Sequence, residues 1–385
     1  MPGSSLPGKD CQTSVTSTSR HTLTPPSPDV PSTSSSVPPA APVSSASLLP
    51  PDSNSPVAWT VFRPSLPSIQ FTATRCLKRM PQTQTPRGYF DQIFCDEVYN
   101  HVLMQTEKFA ESLFLDSPYE KSRISARKTL EKGEFQIWLG LLFHMGHIQV
   151  NRLESYWKTD PLYRIPIFRE KMSRDRFLMI MQALHFAENP GVGEPDPSDR
   201  LYKIRPLIDI FHNVMKSVVY PEKNLSIDES MVLWTGRLIF RQYVQGKKHK
   251  FGIKMYMLTE ASGLVLRIHV YTGSADKDVE GRGHAGKVVN SLLNDFKGKG
   301  HSVFMDNFYN SVNLSRELLG EKVHTTGTLR GNRQNNLSEI VKRKLKKGEV
   351  IHRWSEDGVC VLKWHDRREV LLLSTKFGPE MVDIS

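Results

Sequence analysis

From Gly88 onward the apolar residues recur at helical spacing. Tyr89, Phe90, Ile93, Phe94, Val98, Val102 and Leu103 fall three or four positions apart, which predicts a helix with one buried face. The same period predicts helices over about 133–147, over 173–186 behind Ser173 as N-cap, and from Pro206, a first-turn proline, to Met215. Trp138, Trp157 and Phe177 read as core of this helical region, and His144 and His147 as packing residues. Asn189–Pro197 is a plain loop. The period then shortens to two. Asn224–Trp234, Phe251–Leu258 and Leu264–Tyr271 read as strands whose short connections favour antiparallel pairing. A helix near 283–297, a strand His301–Met305, a helix at 311–320 and a strand at 324–329 follow. Three short strands near 350–353, 359–364 and 369–374 read as hairpins.

Composition changes the picture at the N-terminus. Residues 1 to about 56 are mostly Ser, Thr, Pro, Ala and Val, with no aromatic before Trp59. Such a segment buries too little apolar surface to offset its ordering entropy, so a disordered tail is expected. Residues 57–86, with Arg75, Lys78 and Arg79, read as a basic linker. The expected organisation is a tail and linker over 1–86, a helical segment over 87–222, a mixed-sheet core over 223–330 and a basic β region over 331–385. The fold class is α+β, and the order βββ–α–β–α–β is that of a ribonuclease-H-like sheet.

Charge narrows the function classes. Against 40 Asp and Glu stand 51 Lys and Arg, a net charge of +11, and this favours a polyanionic partner. No run approaches the roughly 18–20 apolar residues a membrane span needs. Met1–Ser5 does not open a secretory signal. Cys11, Cys76, Cys95 and Cys360 are scattered, which argues against a disulfide scaffold or a zinc finger. The expectation is a soluble, intracellular, basic protein.

The candidate chemistry lies in two aspartates. Alternation along Leu225–Ser230 points Ile227 into a core and Asp228 out of the opposite face. Asp306 ends the apolar run Val303–Met305. Two carboxylates at neighbouring strand ends can share Mg²⁺, a hard cation that keeps waters for a phosphate to displace. A strand-end Asp is also a common turn or cap residue, and both readings stand at this point. Lys247, Lys248, Lys250 and Lys254 around the second strand can contact phosphates, as can Lys342, Arg343, Lys344, Lys346 and Lys347. Each run reads equally as solvated charge, and the second also as a nuclear localisation signal.

Ser173–Phe177, Arg205-Pro206-Leu207 with Phe211, Leu225–Ser230, Lys250–Lys254, Phe304-Met305-Asp306-Asn307-Phe308-Tyr309 and Lys363-Trp364 through Thr375 resemble the motifs of the piggyBac transposases, in that family's order. The likeness runs from about residue 88 onward and is closest to piggyBac-derived proteins that host genomes have retained. It implies a ribonuclease-H-like core with an Asp-Asp-Asp triad and Mg²⁺, or Mn²⁺. It also implies a helical segment for DNA binding and homodimerisation, nuclear localisation, no membrane, and nicking, hairpin formation and strand transfer at transposon terminal repeats and TTAA targets. By motif, Asp228 is the first triad residue and Asp306 the second. The resemblance puts the third in a Gly-Val-Asp-x-x-Asp motif past the Leu373-Ser374-Thr375 strand, and the sequence reaches Ser385 without it. Asp366 fits a hairpin salt bridge to Arg367 or Arg368 better than the triad, and Glu380 and Asp383 match no catalytic motif. The expectation is therefore DNA binding with an incomplete catalytic core. An inactive domesticated DNA- or chromatin-binding protein, or a truncated relic, is the alternative.

Overall fold

The structure, a computed structural model, describes residues 58–115, 128–191, 193–194, 197–246, 250–273, 276 and 279–380. The expected disordered tail, the candidates Lys247 and Lys248, and Asp383 lie outside the described residues.

The described strands are β1 (Trp59–Thr60), β2 (Cys76–Leu77), β3 (Val219–Tyr220), β4 (Asn224–Leu233), β5 (Gln242–Tyr243), β6 (Phe251–Glu260), β7 (Val265–Val270), β8 (Ser302–Met305), β9 (His324–Thr328), β10 (Val350–Ser355), β11 (Cys360–His365) and β12 (Glu369–Ser374). The helices are α1 (Pro86–Ile93), α2 (Asp96–Leu115), α3 (Lys132–His147), α4 (Pro166–Lys171), α5 (Arg174–Ala183), α6 (Arg205–Val218), α7 (His284–Leu293), α8 (Val312–Gly320) and α9 (Ser338–Lys342), with a 3₁₀ turn at Leu153–Trp157.

One mixed sheet runs β1-β10-β11-β12-β9-β8-β4-β6-β5, and β7 pairs with β6. Within it, β7-β6-β4-β8-β9 form the ribonuclease-H-like part. The pairs β4–β8 and β8–β9 are parallel, and β4–β6 and β6–β7 are antiparallel. The region 331–385 adds the antiparallel meander β10–β12, which joins the same sheet through β12 and β9.

Alternation decides what the sheet buries. Leu225 and Ile227 of β4, Leu258 of β6 and Val303 and Met305 of β8 pack with Val288, Leu292, Leu314 and Leu318 of α7 and α8. The helical region has its own core around Tyr99, Trp138, Trp157, Phe168 and Phe177. His144 packs against the Phe168 ring at 5.7 Å between centroids. Helix α6 serves both cores, with Val214 and Val218 in the helical cluster and Met215 in the sheet cluster. Ser173 caps α5 by accepting from the Arg176 N–H, and Pro206 sits in the first turn of α6.

Two differences from the sequence pattern have simple causes. The helix expected from Tyr89 to Leu103 is two helices, because α1 ends at Ile93, with Phe94 as its C-cap, and α2 starts at Asp96. The apolar spacing runs through the break, so periodicity does not register it. Residues 58–77, read as linker, run along the fold. Trp59 and Thr60 pair with β10, the Arg63 guanidinium stacks over the Trp354 ring at 4.9 Å, and β2 pairs with β3.

Candidate active site and its basic edge

The parallel register of β4 and β8 ends at Ile227–Met305, both in the core. One residue further on each strand come Asp228 and Asp306, so the topology puts the two carboxylates side by side at the edge where β8 ends. Neighbouring strands lie about 4.8 Å apart. Both aspartates are exposed. Asp228 Oδ1 accepts from the Glu229 N–H at 2.7 Å, and Asp306 Oδ1 accepts from the Phe308 N–H at 2.8 Å. The local turn role of a strand-end Asp is thus met with one oxygen of each carboxylate, and no hydrogen bond among the described residues engages the other.

The floor beneath the pair is aromatic. Tyr309 is 1% exposed, and its hydroxyl has no hydrogen-bond partner among the described residues. Burial, followed by the negative charges of Glu229, Asp228 and Asp306, pushes its phenol well above the usual range and keeps it protonated. Tyr256 is held neutral mainly by burial and donates to His284 Nε2 at 2.8 Å, while His284 Nδ1 donates to the Val279 carbonyl at 2.8 Å. Asn310 ties the end of β8 to β9 by donating to the Met305 and Thr328 carbonyls, each at 3.0 Å. Gly327 is required there, since a Cβ would meet Met305 O at 1.8 Å.

Cations gather around Phe308, two residues past Asp306. Lys254 Nζ lies over the rings of Tyr256 and Phe308, at 4.7 and 4.6 Å. Arg330 stacks over Phe308 at 5.6 Å and donates to Asn307 Oδ1 at 2.9 Å. Arg333 donates to the carbonyls of Phe308 and Asn307, and its buried Nε has no partner among the described residues. The sequence motifs do not include Arg330 or Arg333, and Tyr309 enters them only as the last residue of the Asp306 motif, with no role attached. Arg330 and Arg333 follow the strand beside the Asp306 strand, so the expected order of parallel strands held the signal.

The second basic run reaches the same edge. Strand β12 is antiparallel to β9, so Glu369 at its start lies where β9 and β8 end. Leu345 N–H donates to Glu369 Oε1 at 3.0 Å, and His365 Nδ1 donates to the Leu345 carbonyl at 2.6 Å. Buried Lys363 donates to the carbonyls of Val341 and Arg343, at 3.1 and 2.6 Å, and pairs with Glu369. Lys342, Arg343, Lys344, Lys346 and Lys347 are not buried, and no ion pair among the described residues engages them. Lys250 is exposed at the start of β6. Asp366 sits in the exposed turn between β11 and β12. The salt bridge expected there, to Arg367 or Arg368, is absent among the described residues, and all three side chains are exposed, where an ion pair adds little to hold them together.

Two neighbouring carboxylates, each with one oxygen that accepts no hydrogen bond among the described residues, fit Mg²⁺ held by protein and substrate together. Among the described residues no third acid or histidine joins them to make an all-protein cage. No helix among those residues is long and apolar enough to cross a membrane.

A family model described as Transposase IS4 matches residues 85–384. Human PiggyBac transposable element-derived protein 3 is 29% identical over 257 residues, 65% of this chain and 43% of that protein. Human PiggyBac transposable element-derived protein 2 is 26% identical over 338 residues, 85% of this chain and 53% of its own length. The chain thus spans about half the length of these relatives. The fold is that of a piggyBac transposase solved by cryo-EM as a synaptic complex with hairpin DNA, with a TM-score of 0.68 and 22% identity over 81% of this chain and 65% of that one.

Proposed function

The chain belongs to the piggyBac family of DDE-type transposases, and on that premise we propose that it is a nuclear DNA-binding protein built on a strand-transfer core. The observation that carries the proposal is the shared sheet edge. Asp228 and Asp306 sit side by side there, with Lys254 and Arg330 stacked on Phe308 beside them and the run Lys342–Lys347 along the same edge.

In this reading Asp228 and Asp306 hold Mg²⁺ or Mn²⁺, which when bound activates the attacking oxygen and stabilises the leaving one at a phosphodiester. The chain's own residues do the positioning. Lys250, Lys342, Arg343, Lys344, Lys346 and Lys347 neutralise backbone phosphates, and Lys254 and Arg330 hold the phosphate nearest the carboxylates. Lys247 and Lys248 belong to the same set. The phenol of Tyr309, protonated at neutral pH, supplies a hydrogen-bond donor beneath the carboxylates. The substrates are transposon terminal repeats and TTAA targets, engaged by a homodimer, with the helical segment 87–222 contributing to DNA binding and pairing.

A second reading is a domesticated DNA- or chromatin-binding protein without cleavage activity. It is favoured by the net charge of +11, which suits a polyanionic partner whether or not a strand is cut. Incubating the 385-residue chain with a terminal-repeat duplex and Mn²⁺ separates the two. Nicking that disappears in Asp306→Asn supports the strand-transfer core. Binding without nicking supports the second reading, and no binding at low salt refutes both.

A further inference from the structure

The connection from β4 to β6 carries aromatic residues that nothing among the described residues buries. Trp234 is 44%, Tyr243 55% and Phe251 47% exposed. Exposed aromatics this close together mark a binding surface rather than a core. They form one unit. Tyr243 pairs with Phe251 across β5 and β6, with ring centroids 4.9 Å apart. Trp234 N–H donates to the Phe251 carbonyl at 3.5 Å. The Arg241 guanidinium stacks over Phe251 at 5.2 Å and also donates to the carbonyls of Thr235 and Gly236, at 3.1 and 3.2 Å, which braces the loop.

The charge of the hairpin selects the occupant. From Met231 to Thr259 there is no Asp or Glu, while Arg237, Arg241 and Lys250 are exposed. A second copy would bring like charge to like charge, and an acidic partner would leave the three rings unused. A strand of unpaired nucleotides uses both, since bases stack on aromatic faces and phosphates meet the cations. Position agrees with this. Asp228 pairs with Met257 and Leu233 with Gly252, so alternation puts Trp234 and Phe251 on the Asp228 face of the sheet. Six residues of strand separate Trp234 from Asp228, roughly 20 Å at about 3.3 Å per residue.

We propose that Trp234, Tyr243 and Phe251, with Arg241, form a stacking platform for unpaired nucleotides at a DNA end processed or held by the Asp228–Asp306 edge. The proposal rests on the DNA-binding reading above.

The test is fluorescence anisotropy of the full 385-residue chain with a blunt duplex and with the same duplex bearing an eight-nucleotide thymine tail. The tail is expected to tighten binding by about 5- to 150-fold for each base stacked. Trp234→Ala with Tyr243→Ala removes that gain and leaves blunt-duplex affinity unchanged, whereas Trp234→Phe keeps most of it. The platform is overturned, with DNA binding intact, if wild type shows no preference for the tail or if the double variant weakens both duplexes equally. A wild-type dimer that the double variant converts to monomer also overturns it, in favour of self-association. Failure of either duplex to bind at low salt overturns the DNA-binding reading itself.

Discussion

Lys363 gives the basic run its place on the sheet edge, and replacing it tests that directly. The side chain is 6% exposed and its ammonium donates to two carbonyls, those of Val341 and Arg343. Hydrogen bonds from a charged donor contribute about 1.5–3 kcal/mol each. The carbonyls lie near solvent and recover water when the run opens, so the loss in Lys363→Met is about 2–4 kcal/mol in total. The ion pair with Glu369 sits at the solvent boundary, where screening leaves it little weight. A loss of that size raises the open population of residues 341–347 by roughly 30- to 1000-fold. Lys342, Arg343, Lys344, Lys346 and Lys347 are trypsin sites, so limited proteolysis reads the opening directly. When opening and closing are fast relative to cleavage, the cleavage rate follows the open population. Cleavage in this run is expected to accelerate at least about tenfold, while Tm falls by only a few degrees because the sheet core is untouched. Equal tryptic half-lives for wild type and Lys363→Met would refute the role given to Lys363.

Gly327→Ala puts a Cβ 1.8 Å from Met305 O and 2.6 Å from Asn310 Nδ2, under the strand end that carries Asp306. Overpacking against backbone costs about 2–3 kcal/mol or more, and a lowered urea midpoint checks it. His212 accepts from the Ile268 N–H at 3.1 Å, and burial, followed by Arg267, pushes its pKa below the ordinary histidine value. The unfolded chain then takes up the proton first as pH falls. Stability from this residue is present above the ordinary value of about 6.5 and is lost as pH drops below it. Urea melts should show the midpoint falling from pH 7.5 to pH 5.5, with a shallower fall in His212→Gln.

The legible parts of this molecule are those where one period governs a whole element. Alternation across Leu225–Ser230 predicts Ile227 in the core and Asp228 outside it, and the apolar run Val303–Met305 predicts Asp306 at a strand end. Strands β10–β12 are equally readable as elements, but their membership of the same sheet depends on pairing between β12 and β9, which no local pattern encodes. The segment 58–77 has no period at all. It gains its place from edge pairing and the stacking of Arg63 on Trp354, between residues almost three hundred positions apart. The basic run 342–347 is visible as charge, but its position depends on Lys363, whose motif gives no hint of that role. Arg330 and Arg333 need the register of β8 and β9 before their closeness to Asp306 can be read.

The central claim is that the edge carrying Asp228 and Asp306 is the edge that meets DNA, and the salt dependence of binding tests it most directly. Each phosphate that the protein no longer neutralises makes the slope of log K against log salt shallower by roughly 0.9 on duplex DNA. The account predicts that Lys344→Ala with Lys346→Ala and Lys347→Ala flattens the slope by roughly 2–3. Lys297→Ala with Lys299→Ala, at the opposite edge where β8 begins, should leave it unchanged. Equal flattening by both sets, or none by the first, would contradict the account.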